Sequence, residues 1–375
     1  MLKFFKKKIE QKPSLMAGTA KSTDTSFYSL TISEVRRETE DAVSIAFDVP
    51  AEHKDKFTFL PGQYLTLKTT IANEEVRRSY SICAAPSDGE LRVAVKEIEG
   101  GKFSVHANRH LKPGMTLDSM LPMGNFKWQP SSTPAHVVGW AAGSGITPIM
   151  SIAKTVLESD ASSTFTLFYG NKNSNSIIFK DAFEDLKNTY VDRLEVHHIL
   201  SREDQGSDIT KGRIDAGKVK AFNEKFFEVG STTAHFLCGP LGMIESVTET
   251  LESLGTPREK IHFELFNTTA ATAAKKEVSA LVSGTSVVTI VLDGEETCFE
   301  ATGKEFILDA ALDAGADVPY ACKGAVCCTC RAKVIEGSAE MVLNYALVED
   351  EVKDGYILTC QAHSTSEKVV VSFDE

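Results

Sequence analysis

Four cysteines near the C-terminus constrain this chain more than any other feature of its sequence. Cys322, Cys327 and Cys330 follow a C-x4-C-x2-C pattern, and 29 residues separate Cys330 from Cys360. This spacing is typical of a [2Fe–2S] cluster held by four thiolates. Zinc is the main competitor, but four-cysteine zinc sites usually contain two C-x2-C pairs, and here there is one. The pattern therefore favours an iron–sulfur cluster, with zinc and inert or disulfide-bonded thiols as the alternatives.

A compact loop would have to wrap such a cluster. Its small residues Gly324 and Ala325 leave backbone N–H groups free to point at sulfur. Cys328 adjoins Cys327, but only Cys327 satisfies both spacings, so we predict that Cys328 is not a ligand. Cys298, on a predicted strand, is expected to fill the core as a small apolar residue.

The net charge of −12 is concentrated in the part of the chain that holds these cysteines. Residues 283–375 contain 17 Asp and Glu against 6 Lys and Arg, a net of −11, and the other 282 residues carry −1. Such asymmetry indicates a separate C-terminal module. An acidic chain also argues against nucleic acid as the main partner, because phosphate binding requires a basic surface.

The cellular setting can be inferred from what the sequence lacks. The basic N-terminus has no apolar run of the length that a secretory signal needs. No stretch approaches 18 consecutive apolar residues, so no membrane span is expected. A chain of 375 residues with 42% hydrophobic content can build a core without disulfides. We therefore expect a cytoplasmic protein with reduced thiols.

Changes in the periodicity of apolar residues divide the chain into segments. Short alternating strands with Pro, Gly and Asn between them predict an antiparallel barrel or sandwich, and alternating strands and helices predict an α/β domain with a parallel sheet. A small polar stretch then indicates a linker. The predicted order is a flexible basic arm (1–25), the β-barrel (26–130), the α/β domain (131–266), the linker (267–282) and the cysteine-bearing module (283–375).

Two motifs in the barrel segment could bind a cofactor. In the run Arg78-Ser79-Tyr80-Ser81, the guanidinium could hold a diphosphate, the ring could cover a flat ring system and the last hydroxyl could bind its polar edge. Residues 100–104 (GGKFS) then lead into a helix-like HANRHL, and a helix N-terminus with glycine and serine suits an anion. Alone, the R-x-Y-S motif would be better interpreted as an ordinary surface strand, and the GGKFS segment could equally be a hairpin turn.

Two turns in the α/β segment are candidates for a dinucleotide site. Residues 143–148 (GSGITP) follow a buried strand and open a helix, where glycines permit close approach to phosphate. The usual G-x-G-x-x-G pattern is absent, so a purely structural turn remains an alternative. Cys238-Gly239 ends another predicted strand of the same segment.

Taken together, these motifs resemble the ferredoxin–NADP reductase superfamily, and residues 283–375 resemble a plant-type ferredoxin domain. The resemblance implies a multidomain fold: an antiparallel β-barrel flavin domain, an α/β parallel-sheet nucleotide domain and an α+β β-grasp ferredoxin domain. It implies FAD rather than FMN, a [2Fe–2S] cluster and a nicotinamide nucleotide. The segments IEGGKFS, AAGSGITP and FTLFYGN are most similar to reductase subunits of multicomponent oxygenases, the phenylacetyl-CoA epoxidase type in particular.

Site residues follow from the same resemblance. Those implied for FAD are Arg78, Ser79, Tyr80, Ser81, Val95, Lys96, Gly101, Lys102, Phe103 and Ser104, and those implied for the nicotinamide nucleotide are Gly143, Gly145, Ile146, Thr147, Cys238 and Gly239. Ser81, Cys238 and Glu264 are implied as catalytic groups, although Glu264 could equally be an exposed strand residue. The implied cluster ligands are Cys322, Cys327, Cys330 and Cys360.

Nucleotide choice depends on a loop after the strand LEVHHIL. Ser201 and Arg202 follow that strand, where a hydroxyl and a guanidinium could hold a 2′-phosphate, so the sequence favours NADPH over NADH. The resemblance then implies a reductase that passes electrons from NADPH through FAD and the cluster to an oxygenase component of aromatic catabolism. A stand-alone NAD(P)H diaphorase and a non-enzymatic zinc module are the alternatives.

Overall fold

The computed structural model describes residues 24–130, 133–266 and 284–375. It divides into two compact units, of which one is Phe27–Phe266 and the other contains the C-terminal residues. The predicted linker and all but the last two residues of the predicted basic arm lie outside the described residues.

The first unit begins with an antiparallel six-stranded sheet. Its strands are β1 (Tyr28–Thr39), β2 (Ala42–Asp48), β3 (Tyr64–Ile71), β4 (Glu74–Ser81), β5 (Leu91–Lys96) and β6 (Thr116–Ser119), with helix α1 (Lys102–Arg109) between the last two. The order is β4-β3-β6-β1-β2-β5, and an antiparallel bridge between Ile82 and Val93 links its two ends. Alternating apolar side chains such as Leu65 and Leu67 point inward. The predicted barrel is confirmed.

A parallel sheet with helical crossovers completes the first unit. Its elements are β7 (His136–Ala142), α2 (Ile146–Ser159), β8 (Thr164–Asn171), α3 (Lys180–Thr189), β9 (Leu194–Leu200), α4 (Ala216–Lys225), β10 (Ala234–Cys238), α5 (Leu241–Ser253) and β11 (Ile261–Glu264). The strand order is β11-β10-β7-β8-β9, and all pairs are parallel. The central strands are buried apolar runs, as expected for a sheet covered on both faces. Because the strands are parallel, the loops after β7, β8, β9 and β10 all lie at one edge of the sheet.

The C-terminal unit is a mixed α+β fold. Its elements are β12 (Thr285–Leu292), β13 (Glu295–Thr302), α6 (Ile307–Asp313), β14 (Arg331–Glu336), β15 (Ala339–Met341), α7 (Glu349–Lys353), β16 (Tyr356–Leu358), β17 (Ala362–Ser364) and β18 (Lys368–Ser372). The main sheet has the order β13-β12-β18-β14-β16, in which β12 and β18 are parallel, and β15 pairs with β17. These three folds confirm the predicted multidomain class.

The structure confirms the predicted β12–β13 hairpin but not the predicted position of Cys298. The β12–β13 hairpin turns at Asp293 and Gly294, whose φ angles of 53° and 76° suit an Asp-Gly turn. The prediction for Cys298 is wrong, because its side chain is exposed on β13. Cys298 pairs with Thr289 on the face opposite the core residue Val288, so the two-residue alternation places it outward.

Candidate functional site

The R-x-Y-S motif forms the end of β4. Arg78 and Tyr80 are two residues apart and project from the same face of the strand. Arg78 is exposed, and its guanidinium donates a hydrogen bond to the carbonyl of Arg77 at 2.7 Å. Tyr80 is partly buried against Phe103 of α1, with 5.2 Å between ring centroids. An exposed guanidinium beside a partly exposed ring fits a diphosphate attached to a flat ring system such as that of FAD.

The GGKFS segment is more helical than predicted, because α1 begins at Lys102 rather than at the HANRHL segment. Gly101 is the N-cap residue, and a Cβ there would lie 2.4 Å from the Oγ of Ser104. That Oγ accepts a hydrogen bond from the Ile98 N–H at 3.1 Å, which fixes the turn. First-turn N–H groups have no acceptor within a helix, so those of residues 102–104 suit an anion.

Two lysines of the predicted FAD segment are paired with carboxylates. Lys96 follows the buried Val95 at the end of β5 and lies 3.4 Å from Asp41. Lys102 donates to Glu74 at 2.7 Å. Ion pairs near the surface contribute about 0–1 kcal/mol. A phosphate can therefore compete for either lysine.

The predicted nucleotide loop packs against the loop after β10. Gly143 has φ +55°, which favours glycine, and starts the turn that leads into α2. A Cβ on Gly145 would lie 2.0 Å from the carbonyl oxygen of Cys238, and one on Gly239 would lie 2.6 Å from Met243. The two loops therefore approach each other at a distance that only glycine permits.

The remaining residues of this loop hold it against the sheet. Ile146 is fully buried. Thr147 is also buried and donates its hydroxyl to the carbonyl of Ser144 at 3.0 Å. The turn that would receive a phosphate is thus fixed by its own side chains.

The three predicted catalytic residues lie together, although they come from distant parts of the sequence. Ser81 ends β4, and Ser79 on the same face of that strand lies 3.2 Å from Thr66. The Ser81 hydroxyl donates to an oxygen of Glu264 at 3.1 Å. Glu264 ends β11 and is paired in register with Cys238 on β10. The alternative of an exposed strand glutamate is excluded, because Glu264 is partly buried at this junction.

The surroundings of Glu264 favour its neutral form. Burial raises the pKa of its carboxyl to about 8, and the Ser81 hydrogen bond opposes part of that rise. Burial, reinforced by the Glu264 charge, also raises the pKa of the Cys238 thiol well above its ordinary value. Both groups are therefore protonated at neutral pH, and the site can hold a proton at the Glu264 carboxyl next to the Ser81 hydroxyl.

Ser201 and Arg202 follow β9 at the same edge of the sheet. The N–H and the hydroxyl of Ser201 both donate to the carbonyl of Asn171, at 2.9 and 3.2 Å. The N–H of Arg202 donates to the carbonyl of Lys172 at 2.8 Å. The Arg202 side chain is exposed and has no partner within the described ranges. A fixed backbone with an available guanidinium fits a bound phosphate.

The cysteine loop runs between α6 and β14, and Cys360 lies in a helical turn after β16. The sulfurs of Cys322 and Cys327 are 3.1 Å apart, and the Gly324 N–H points at the Cys322 sulfur at 3.3 Å. Ala325, with φ 60°, adopts a left-handed conformation that helps the loop to curl. The predicted role of small residues around sulfur thus has a structural basis.

The four sulfurs converge, and Cys328 is turned away from them. Hydrogen bonds from Cys327 and Cys360 lower the pKa of Cys322, and Cys360 also contacts Cys330. The sulfur of Cys328 instead lies 3.5 Å from the carbonyl of Ala346. Pairwise contacts that link the four thiols, together with an N–H aimed at sulfur, fit a [2Fe–2S] cluster.

Sequence reasoning missed a residue that supports this loop. Gln361 is fully buried and donates its Nε2 to the carbonyl of Lys323 at 3.2 Å. Lys323 has a φ of 50°, so this hydrogen bond restrains a strained residue between two predicted ligands. Its position next to Cys360 was the one available signal, and a buried glutamine cannot be recognised from position alone.

Comparisons with known proteins agree with this geometry. Residues 29–128 match the oxidoreductase FAD-binding domain, residues 140–249 the oxidoreductase NAD-binding domain and residues 290–365 the 2Fe-2S iron-sulfur cluster binding domain. The chain is 44% identical to one of the subunits of 1,2-phenylacetyl-CoA epoxidase from Escherichia coli (strain K12), over 93% of this chain and 98% of that protein. The chain belongs to the ferredoxin–NADP reductase superfamily. Within it, this reductase belongs to the oxygenase reductase components that carry a C-terminal [2Fe–2S] domain.

Other known proteins are similar to the reductase in sequence or in fold. It is 33% identical to the 3-ketosteroid-9-alpha-monooxygenase ferredoxin reductase component of Rhodococcus rhodochrous, over 92% of this chain and 96% of that one. Its fold is similar to phthalate dioxygenase reductase (TM-score 0.55, 22% identity, covering 92% of this chain and 98% of that one). It also resembles an intact type IV self-sufficient cytochrome P450 monooxygenase (TM-score 0.68, 20% identity, covering 96% and 43%).

FAD and [2Fe–2S] binding and an oxidoreductase role, each predicted from the sequence, are confirmed by these matches. Among the described residues, no helix of the reductase is both long and apolar enough to cross a bilayer.

Proposed function

We propose that this reductase takes electrons from NADPH and delivers them to an oxygenase component that acts on an aromatic CoA thioester of the phenylacetyl type. The observation that carries the proposal is the 44% identity to a component of phenylacetyl-CoA epoxidase across 98% of that component's length. The proposed domains are those predicted above, with FAD in residues 26–130, the nucleotide in 131–266 and the cluster in 283–375. None of the eight cysteines, all of which lie among the described residues, is in a disulfide, which suits the cytoplasmic location that we propose.

The barrel residues would bind and orient FAD. Arg78 would hold the diphosphate, Tyr80 would cover the flavin ring, and the first turn of α1 with Lys102 would receive the remaining phosphate charge. FAD accepts hydride from the nicotinamide and the cluster carries single electrons. The protein supplies position, water exclusion and protons.

Ser81 and Glu264 would manage the proton. The carboxyl is protonated at neutral pH because its pKa is raised to about 8, and the Ser81 hydroxyl lies 3.1 Å from it. We assign Glu264 as the group that holds a proton near the flavin and Ser81 as the hydroxyl that contacts the flavin edge. Cys238, in register with Glu264, would limit water at the nicotinamide.

NADPH selectivity would come from Ser201 and Arg202. Replacing Arg202 with alanine is expected to raise the KM for NADPH about 10-fold or more and the KM for NADH less than about 2-fold, since a charged hydrogen bond contributes about 1.5–3 kcal/mol. Arg213→Ala, which removes another exposed arginine of the same domain, is the matched control. An equal change for both nucleotides in Arg202→Ala would contradict the assignment.

Cys322, Cys327, Cys330 and Cys360 would hold the cluster that passes electrons to the acceptor. The surrounding module carries a net charge of −11, which would speed association with a basic surface on the oxygenase. Reconstitution tests the whole proposal: purified reductase is mixed with candidate oxygenase components, and NADPH-dependent oxygenation of phenylacetyl-CoA is followed. Rapid cytochrome c reduction without coupling to any oxygenase component would instead favour a stand-alone diaphorase.

A further inference from the structure

Tyr169 is a buried tyrosine beneath the nucleotide loop. It lies on β8, is fully buried and pairs in register with Ala141 of β7. Its hydroxyl donates to the carbonyl of Gly143 at 3.0 Å and lies 3.5 Å from the carbonyl of Ile178. A single buried hydroxyl therefore joins the loop after β7 to the segment that precedes α3.

The Gly143 carbonyl is held from two directions. It also accepts the N–H of Ile146 at the start of α2, so both of its lone pairs have donors. In a trans peptide the N–H points opposite to the carbonyl. Fixing the Gly143 carbonyl toward Tyr169 consequently directs the Ser144 N–H away from the core, toward the edge of the sheet where a nucleotide phosphate binds.

The surroundings of Tyr169 keep its hydroxyl available as a donor. Burial raises the pKa of Tyr169 far above the working pH range, so the hydroxyl stays protonated. Asn171 is itself buried, and its carbonyl accepts both donors of Ser201. Through Tyr169 and Asn171, strand β8 thus contacts both the loop after β7 and the loop proposed to bind the 2′-phosphate.

We infer that Tyr169 is a positioning residue for nucleotide binding, whose hydroxyl orients the Gly143–Ser144 peptide so that its N–H meets the nucleotide diphosphate. This inference rests on the proposed function only in that residues 143–147 receive the nucleotide. It does not depend on the identity of the electron acceptor.

Tyr169→Phe in the full-length holoprotein tests the inference, because the ring that fills the core is kept. The assay follows oxidation of whichever of NADPH and NADH reduces the wild-type FAD, with ferricyanide as acceptor. We expect the KM to rise about 3- to 10-fold, as for the loss of one hydrogen bond, with kcat changed less than about 2-fold. The Ki of the oxidised nucleotide should rise by the same factor. The Ki of the nucleotide fragment that lacks the diphosphate (2′-AMP for NADPH, adenosine for NADH) should stay constant.

Tyr190→Phe is the matched control. It makes the same substitution in the same domain, at a hydroxyl that has no partner in the described part of the chain. It should change neither the KM nor the Ki of the oxidised nucleotide. An unchanged KM in Tyr169→Phe, or Ki values that rise equally for the nucleotide and its fragment, would overturn the inference. A lowered melting temperature with an unchanged KM would also overturn it, since the role would then be structural only. Failure to couple with any oxygenase would refute the proposed acceptor and leave this comparison intact.

Discussion

Exchanging Glu264 for glutamine is expected to flatten the alkaline part of the pH profile for FAD reduction by NADPH. The carboxyl has a pKa of about 8, raised by burial from an ordinary 4.5. At pH 7 it is therefore about 90% protonated, and at pH 9 only about 10%. Glutamine has a similar shape but does not titrate in this range.

The size of the effect follows from these fractions. If hydride transfer requires the protonated carboxyl beside Ser81, the wild-type rate should fall about 10-fold between its plateau and pH 9, with a midpoint near 8. In Glu264→Gln the rate should vary less than about 2-fold over the same range. The assay is stopped-flow bleaching of the flavin at saturating NADPH, with bound FAD checked at each pH.

Ser81→Ala provides a second test, in which the direction of the shift in the pH midpoint is predicted. The Ser81 hydroxyl donates to Glu264 and lowers the pKa of that carboxyl by stabilising its charged form. Removing the hydroxyl should raise the midpoint by about one pH unit, since one unit corresponds to about 1.4 kcal/mol, the strength of one such hydrogen bond. The plateau rate is also expected to fall, but only the midpoint tests the electrostatic argument.

Two outcomes would refute this reasoning. If the rate of FAD reduction still falls at alkaline pH in Glu264→Gln, the ionisation belongs to another group, such as the neighbouring Cys238 thiol. A midpoint that moves downward in Ser81→Ala would show that the hydroxyl favours the neutral acid. Stability gives an independent check: because the folded pKa lies above the ordinary one, the contribution of Glu264 is fully present below about pH 4.5 and is lost as the pH rises through about 8.

Further predictions concern the cluster loop and the nucleotide loop. Cys360→Ser should abolish the iron content and the visible absorption of the cluster, whereas Cys328→Ser should retain both, because the Cys328 sulfur faces the Ala346 carbonyl; iron loss in Cys328→Ser would contradict this. Gly145→Ala would place a Cβ 2.0 Å from a carbonyl oxygen and should destabilise the first unit by about 1–3 kcal/mol in urea unfolding. Gly242→Ala, whose Cβ would meet nothing within 4 Å inside α5, should stabilise it by up to about 1 kcal/mol, and equal effects of the two would exclude the steric explanation.

Local patterns were sufficient to predict most of the architecture. Asp293-Gly294 specified a hairpin turn because that pair adopts positive φ readily. The change from two-residue to helical periodicity separated the barrel from the α/β domain. The spacing of Cys322, Cys327 and Cys330 indicated the cluster because a single loop has to supply three of its ligands.

Contacts between distant segments could not be predicted in the same way. The role of Glu264 depends on Ser81, which is 183 residues away in sequence, and no local pattern records their meeting. The exposed face of Cys298 depends on the register between two strands. Tyr169 lies in a largely buried strand, and the contact of its hydroxyl with the Gly143 carbonyl depends on how the loop after β7 packs over it.

The arrangement of the cluster cysteines also implies that a bound cluster would stabilise the fold of the C-terminal unit. A cluster bound to Cys322 and Cys360 would close a loop of about 40 residues, which restricts the unfolded chain by about 4 kcal/mol in the loop-entropy description. That is a large share of the roughly 5–15 kcal/mol that stabilises a typical domain. When iron is scarce, we expect newly made chains to carry a complete flavin half and a C-terminal unit open to proteases. The iron supply of the cell would then set the number of reductase molecules able to serve their acceptor.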